Sequence, residues 1–97
     1  MLYKNRTASE EERVNDLLSR MTVDEKLAQL YMHQDPLEIS KMIEEGTYPE
    51  AGISATNASQ RPPVEVLNRI QKYQIENTRL GIPILVTGES IHGVMYP

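Results

Sequence analysis

The chain has 97 residues and a formal net charge of −4, and it contains no cysteine, phenylalanine or tryptophan. This length allows one small domain at most. The charge balance argues against a protein that binds a nucleic-acid backbone. The lack of cysteine excludes disulfides and thiolate metal sites. The thin apolar inventory is more typical of one part of a larger domain than of a self-contained fold.

No membrane segment or leader is apparent in the sequence. No stretch approaches the roughly 18 consecutive apolar residues that a membrane span requires. The first residues contain no apolar segment of the kind found in signal peptides. We therefore expect a cytoplasmic location, while a secreted or periplasmic location stays open.

Two short helices are predicted to meet at Met21 and Thr22. Ser9 with Glu12, and Thr22 with Glu25, have the spacing of capping boxes, which satisfy the free backbone N–H groups of a helix start. Behind each cap, apolar residues recur at helical spacing and form a single stripe. The stripe consists of Val14, Leu17, Leu18, Met21, Leu27, Leu30 and Tyr31.

A third helix is predicted to begin at Asp35 and to end at Gly46. Asp35 is a suitable N-cap, Pro36 suits the first helical position, and Gly46 suits a left-handed C-terminal cap. The next apolar stretch, residues 51–56, is short and could be a strand or a loop. We favour a strand.

The longest helix is predicted to open after Pro63 and to run to about Leu80. Gly81 then precedes an apolar run, residues 82–86, that is typical of a buried strand. A strand, a helix and a second strand in this order imply a parallel sheet with a right-handed crossover. Two parallel strands cannot bury both faces of a sheet, so the predicted sheet is incomplete.

A polar segment, residues 87–93, follows this strand and carries Glu89 and His92. In α/β architectures, ligands gather at the carboxyl ends of the strands. Taken alone, Glu89 is more often a solvated loop charge, and His92 more often braces a turn than acts as a ligand or base. His33 has no second ligand nearby, so no metal site is expected. Residues 57–59 match a glycosylation sequon, a triplet that also arises by chance.

Four stretches, taken in order, resemble the amino-terminal region of family 3 glycoside hydrolases. Arg13-Val-Asn-Asp-Leu-Leu-Ser-Arg-Met-Thr-Val-Asp-Glu-Lys-Leu-Ala-Gln-Leu30 is similar to the opening segment of that family. Residues 68–71 with 76–83 resemble the helix that leads into its next barrel strand. Glu89-Ser-Ile-His-Gly-Val94 resembles its "EALHGV" segment. The four matches in register cover nearly all of residues 10–97.

The resemblance implies an α/β fold, namely part of a (β/α)₈ TIM barrel. Residues 1–97 would form an incomplete amino-terminal segment of the barrel domain, with a helical lead-in (1–46) and the first βαβ unit (47–97). The family retains anomeric configuration by using two carboxylates. The resemblance places its nucleophile, its acid/base and its sugar-binding Lys-His pair beyond residue 97. It implies no catalytic residue within the chain and neither a cofactor nor a metal.

By the same resemblance, Glu89 matches a family carboxylate that accepts hydrogen bonds from hydroxyls of the sugar in the −1 subsite. An ionised carboxylate can accept from two adjacent hydroxyls at once. Many relatives carry Asp at this position, and the longer Glu would crowd the hydroxymethyl arm of a hexose. Glu89 therefore mildly favours β-xylosides, and we expect His92 to support its loop.

The leading functional hypothesis is a segment of a β-glucosidase or β-xylosidase that acts on terminal β-linked sugars of oligosaccharides or aryl glycosides. The isolated chain is expected to be inactive. Two alternatives stay open: a non-catalytic carbohydrate-binding or interaction module, and one part of a split enzyme. The exposed edge of the last strand predicts self-association. Neither nucleic acid nor a membrane is expected as a partner.

Overall fold

A computed structural model describes residues 1–33, 35–59 and 61–88. Its regular elements are a short 3₁₀ turn at Leu2–Lys4, four helices and three strands. The helices are α1 (Glu10–Arg20), α2 (Val23–Ala28), α3 (Pro36–Glu45) and α4 (Val64–Asn77). The strands are β1 (Met32–His33), β2 (Ala55–Asn57) and β3 (Leu85–Thr87). In the described part of the chain, no helix is both long enough and apolar enough to cross a membrane.

The predicted starts of the first two helices are confirmed. The Ser9 hydroxyl accepts a hydrogen bond from the Glu12 backbone N–H at 3.2 Å. At α2, the Thr22 hydroxyl accepts from the Glu25 N–H at 3.1 Å, and the Glu25 carboxylate accepts from the Thr22 N–H at 2.9 Å. Because each cap involves residues only three positions apart, the local sequence is sufficient to specify both helix starts.

Helix α3 also begins and ends where the sequence predicted. The Asp35 carboxylate accepts a hydrogen bond from the Leu37 N–H at 2.9 Å, and Pro36 occupies the first turn. At the other end, Gly46 adopts a left-handed conformation with φ of 73°.

Helix α4 is shorter than predicted, since it ends at Asn77 and not near Leu80. Thr78 is its C-cap, and the Thr78 hydroxyl donates a hydrogen bond to the Gln74 carbonyl at 2.5 Å. Gly81 then turns the chain towards β3 with a positive φ of 63°.

The three strands form one parallel sheet in the order β1-β2-β3. Met32 pairs with Ala55, and Ala55 pairs with Leu85. The prediction of two strands was wrong, because β1 was missed within the segment interpreted as a helical lead-in. A two-residue strand has no alternation of its own, and β1 exists only through its pairing with β2. The α/β fold class is confirmed.

The core lies between the sheet and one layer of helices. Its buried members come from the two crossover helices, α3 between β1 and β2 and α4 between β2 and β3, and from the segments that precede β2 and β3. They are Ile39, Ile53, Ile70 and Ile84. Helices α3 and α4 pack against each other, so both cover the same face of the sheet.

Strand β3 is exposed along its whole length, contrary to its prediction as a buried strand. Leu85 is 71% exposed and Val86 is 51% exposed. Successive side chains of a strand point to opposite faces. Exposure of both therefore means that, among the described residues, no element covers either face at this edge.

Candidate functional site

The carboxyl ends of the three strands meet at one edge of the sheet, because all three strands are parallel. Strand β1 ends at His33, β2 at Asn57 and β3 at Thr87. This edge is where α/β folds place their ligands. Because strand β1 was not predicted, His33 was not expected at this edge. Only the backbone of His33 is described.

A compact polar turn follows β2. The Asn57 side-chain oxygen accepts hydrogen bonds from the Ser59 backbone N–H at 2.8 Å and from the Ser59 hydroxyl at 2.5 Å. This is an Asx-turn, in which the side chain takes the place of a backbone turn residue. In the sequence alone, residues 57–59 stood out only as a glycosylation sequon, a triplet that also arises by chance. Asn two residues before Ser, directly after a strand, was the signal that could have revealed this turn.

The β2 turn lies against the end of β3. The Ala58 N–H donates a hydrogen bond to the Thr87 carbonyl at 2.7 Å. A Cβ atom placed on Gly88 would lie 4.0 Å from the Ser59 hydroxyl oxygen, in ordinary van der Waals contact. The peptide that precedes Glu89 is therefore held next to the Asn57–Ser59 turn.

Thr87 joins the ends of all three strands. Its hydroxyl lies 3.1 Å from the Thr56 carbonyl oxygen of β2 and 3.4 Å from the Met32 sulfur of β1. The hydroxyl has one hydrogen, so the carbonyl is its principal acceptor, since sulfur accepts weakly. The Thr56 hydroxyl is fully buried and makes no hydrogen bond within the described residues.

Both predicted site residues, Glu89 and His92, lie outside the described residues. The structure therefore reaches the predicted site as far as Gly88. Up to that point the edge presents an amide, hydroxyls and backbone groups. Such groups can donate hydrogen bonds to sugar hydroxyls and accept hydrogen bonds from them.

Among the described residues, the groups with shifted pKa values lie away from this edge. Hydrogen bonding by Arg20 lowers the pKa of Asp16, and hydrogen bonding by Arg79 lowers the pKa of Glu25. Burial raises the pKa of the Tyr48 phenol. Perturbed pKa values often mark functional sites, but these three groups belong to contacts that join elements of the fold.

Two concave sites lie towards the opposite, amino end of the sheet. One is a water-sized cavity of about 10 Å³ whose lining includes Glu25, Gln74 and Ile82. The other is an open apolar groove of about 260 Å³ whose lining includes Leu18 and Ile82. Ile82 precedes β3, so neither site belongs to the edge at which the strands end. Within the described residues, no group of three or more His, Asp or Glu side chains is arranged to hold a metal ion.

Comparison with known protein sequences identifies relatives of this chain. The chain is 38% identical over 103 residues to beta-glucosidase C of Emericella nidulans, a match that covers 94% of the chain and 16% of the relative. The chain is related to one segment of a β-glucosidase. It is also 35% identical over 105 residues to a Formosa agariphila protein named "Putative beta-xylosidase", with 95% of the chain and 14% of that relative covered. No family model matches the chain.

The chain spans between about one seventh and one sixth of the length of these relatives. The resemblance to a glycosidase segment, inferred from the sequence motifs, is confirmed by these matches. The names of the relatives describe the whole proteins, most of whose length lies outside the matched segment.

Proposed function

We propose that the chain is part of the catalytic domain of a family 3 glycoside hydrolase that removes terminal β-linked glucose or xylose with retention of configuration. The observation that carries this proposal is the match of 94–95% of the chain to proteins named as a β-glucosidase and a β-xylosidase. The motifs of residues 13–30 and 89–94 supply the family assignment. In this proposal the nucleophile and the acid/base belong to other parts of the catalytic domain.

The fold supports a (β/α)₈ barrel as the parent architecture. Strands β1, β2 and β3 are neighbours in chain order, and both crossover helices cover the same face. In a (β/α)₈ barrel, successive strands are neighbours and all the helices lie on the outer face of the sheet. A doubly wound sheet instead has helices on both faces. The exposed Leu85 and Val86 fit a sheet that further strands and helices would cover, because parallel sheets are normally buried on both faces.

Glu89 is the proposed sugar-binding group. It directly follows Gly88, which lies beside the Asn57–Ser59 turn at the carboxyl edge of the sheet. An ionised carboxylate at this edge would accept hydrogen bonds from two adjacent sugar hydroxyls in the −1 subsite. His92 would brace the loop that carries Glu89.

The proposal is tested in a chimera in which the 97-residue chain replaces the matched segment of beta-glucosidase C. We expect the chimera to hydrolyse 4-nitrophenyl β-glucoside or β-xyloside and the isolated chain to hydrolyse neither. Glu89→Gln should lower kcat/KM about 100-fold, because a charge-assisted hydrogen bond of about 2–3 kcal/mol is lost. The control is Glu11→Gln, an exposed residue of α1, which should leave kcat/KM unchanged.

Three results would count against this function. Turnover by the isolated chain would mean that the catalytic carboxylates lie within residues 1–97. Equal kcat/KM for the Glu89→Gln and Glu11→Gln chimeras would remove the subsite role of Glu89. Tight binding of xylobiose by the isolated chain, together with an inactive chimera, would favour a carbohydrate-binding module.

The length of the Glu89 side chain gives a test of sugar preference. Glu89→Asp shortens the side chain by one methylene and leaves more room for the hydroxymethyl arm of glucose. We expect the ratio of xyloside to glucoside kcat/KM to fall about tenfold in the Glu89→Asp chimera, since one methylene is worth roughly 1–3 kcal/mol in a packed subsite. An unchanged ratio would mean that Glu89 does not contact this part of the sugar.

A further inference from the structure

The end of β3 is held by the turn that follows β2. Asn57 and Thr87 are register partners in the parallel pairing of these two strands. One residue further on, the Ala58 N–H donates a hydrogen bond to the Thr87 carbonyl oxygen at 2.7 Å. That carbonyl belongs to the planar peptide group that links Thr87 to Gly88. The hydrogen bond therefore sets the orientation of the peptide through which the chain leaves β3.

The Asn57 side chain shapes the turn that presents this N–H. Its Oδ1 accepts hydrogen bonds from the Ser59 N–H at 2.8 Å and from the Ser59 hydroxyl at 2.5 Å. The resulting Asx-turn bends the chain directly after β2. Because the bend begins at Asn57, the Ala58 N–H stays directed at β3. Alanine at position 57 would have no acceptor with which to close this turn.

The same connection contains a strained residue. Arg61 has a positive φ of 51°, and its N–H donates a hydrogen bond to the Ala58 carbonyl at 3.0 Å. Pro62 follows it, and a residue before proline is restricted to extended conformations. Strained residues persist where the surrounding structure holds them, and they cluster at functional sites. A simple connection between β2 and α4 would not require this strain.

We infer that Asn57 is a positioning residue for the sugar-binding carboxylate. The inference rests on the proposed function in one respect, namely that Glu89 binds the sugar. Asn57 acts without contacting the sugar: its oxygen closes the turn, the turn presents the Ala58 N–H, and that N–H orients the peptide before Gly88. Glu89 is the next residue in the sequence. Misplacement of a binding group by about 1 Å can lower a rate about 100-fold, so this support affects turnover.

A direct contact between Asn57 and the sugar would use different atoms. The side-chain amide nitrogen is a donor that aspartate lacks. The positioning role uses only the side-chain oxygen, which aspartate keeps, and aspartate forms the same turn. Asn57→Asp therefore separates the two roles, while Asn57→Ala removes both.

The inference is tested first by hydrolysis in the beta-glucosidase C chimera. We expect Asn57→Ala to lower kcat/KM about tenfold, because the carboxylate is displaced but still present. Asn57→Asp should stay within about twofold of the unsubstituted chimera. The matched control is Asn68→Ala, at an exposed position of α4, which should leave kcat/KM unchanged. An unchanged kcat/KM for Asn57→Ala, or an equal loss for Asn57→Asp, would overturn the inference.

A double-mutant cycle with Glu89→Gln separates positioning from a general structural effect. If Asn57 acts through Glu89, Asn57→Ala should cause no further loss once the Glu89 carboxylate is gone, since coupled residues are not additive. A further loss of about tenfold in the double variant would show independent effects. That result would overturn the positioning role.

Amide hydrogen exchange in the 97-residue chain tests the support without any hydrolysis. Asn57→Ala should raise the exchange rate of the Ala58 amide about tenfold relative to that of the Ile70 amide, because the turn opens locally. Global destabilisation would raise both rates together, and Asn57→Asp should leave their ratio unchanged. If no chimera is active, the proposed function fails, yet a raised ratio still supports the role of Asn57 in holding the end of β3. An unchanged ratio would overturn that role even in an active chimera.

Discussion

Arg79 and Glu25 are 54 positions apart in the sequence, yet they form a bidentate ion pair that joins the segment before β3 to helix α2. The Arg79 Nε lies 3.1 Å from one Glu25 carboxylate oxygen, and Arg79 Nη2 donates to the other. Nη2 also donates to the Arg20 carbonyl at 2.6 Å. The carboxylate that caps α2 therefore also attaches the first two helices to the sheet.

Glu25→Gln should lower the free energy of unfolding by about 1–2 kcal/mol. Glu25 is only 8% exposed, so loss of its charge removes charge-assisted hydrogen bonds from a largely covered carboxylate. Arg79 is about half exposed, and solvent screening keeps the effect modest. Urea unfolding followed by circular dichroism at pH 7 measures it. The control, Glu11→Gln in the exposed first turn of α1, should change the free energy by a few tenths of a kcal/mol.

The pH dependence of stability should change with the same substitution. Hydrogen bonding by Arg79 holds the pKa of Glu25 below its ordinary value of 4.5. A lowered carboxyl pKa contributes stability above the unfolded-state pKa, and this contribution is lost as pH falls through the folded-state value. The stability gap between the wild type and Glu25→Gln should therefore narrow as pH falls from about 5 towards 3. Urea midpoints at several pH values measure this gap, and a constant gap would contradict the prediction.

Gln74→Leu in α4 should strongly lower the free energy of unfolding. The Gln74 side-chain nitrogen donates to the carbonyls of Ile53 and Ile82, both at 3.0 Å, and its oxygen accepts from the Ile53 N–H at 3.2 Å. Gln74 is only 2% exposed. Leucine would leave these buried backbone groups unpaired, at a cost of about 3 kcal/mol.

Gln71→Leu is the matched comparison for this prediction. Gln71 lies on the same helix and makes the same kind of paired contact with the backbone of Ile84, at 2.7 and 2.9 Å. Because Gln71 is only half-buried, water can replace its hydrogen bonds, and we expect a loss of about 1 kcal/mol. Equal losses in urea unfolding would show that burial of Gln74 is not the cause.

Gly81→Ala should cost more stability than Gly46→Ala. Both glycines have positive φ, 63° and 73° respectively, so alanine at either position pays about 1 kcal/mol for a left-handed conformation. A Cβ on Gly81 would also lie 2.9 Å from the Ile75 carbonyl oxygen, whereas one on Gly46 would meet nothing within 4 Å. We expect a total of about 2–3 kcal/mol at Gly81. Thermal unfolding of both variants isolates the steric part as their difference.

The candidate site shows how far sequence reasoning reaches. Glu89 and His92 were inferred by resemblance. Because they follow an apolar strand in the sequence, they were predicted to lie at the carboxyl edge of the sheet, and Gly88, the last described residue, lies at that edge. The Asn57–Ser59 turn beside that strand was not inferred, although its residue spacing was visible. Its importance depends on contact with Thr87 and Gly88, which are distant in sequence, and one chain without its fold does not reveal such contacts.

The local sequence by itself determined where the first three helices begin. The caps at Ser9, Thr22 and Asp35 satisfy free backbone groups within two or three positions of themselves, so no distant residue is needed. The left-handed end of α3 at Gly46 has the same local origin.

Only the tertiary structure decided what those helices face. Strand β1 exists because Met32 and His33 pair with β2. Helix α1 is hydrogen-bonded to Tyr3 through Arg13 and Asp16, while Val14 and Leu18 of its apolar stripe stay exposed. Gln74 is buried where its side chain donates hydrogen bonds to the carbonyls of Ile53 and Ile82. Periodicity predicts that a helix has an apolar side, but the partner of that side is set by free-energy differences among long-range contacts, which the local pattern does not contain.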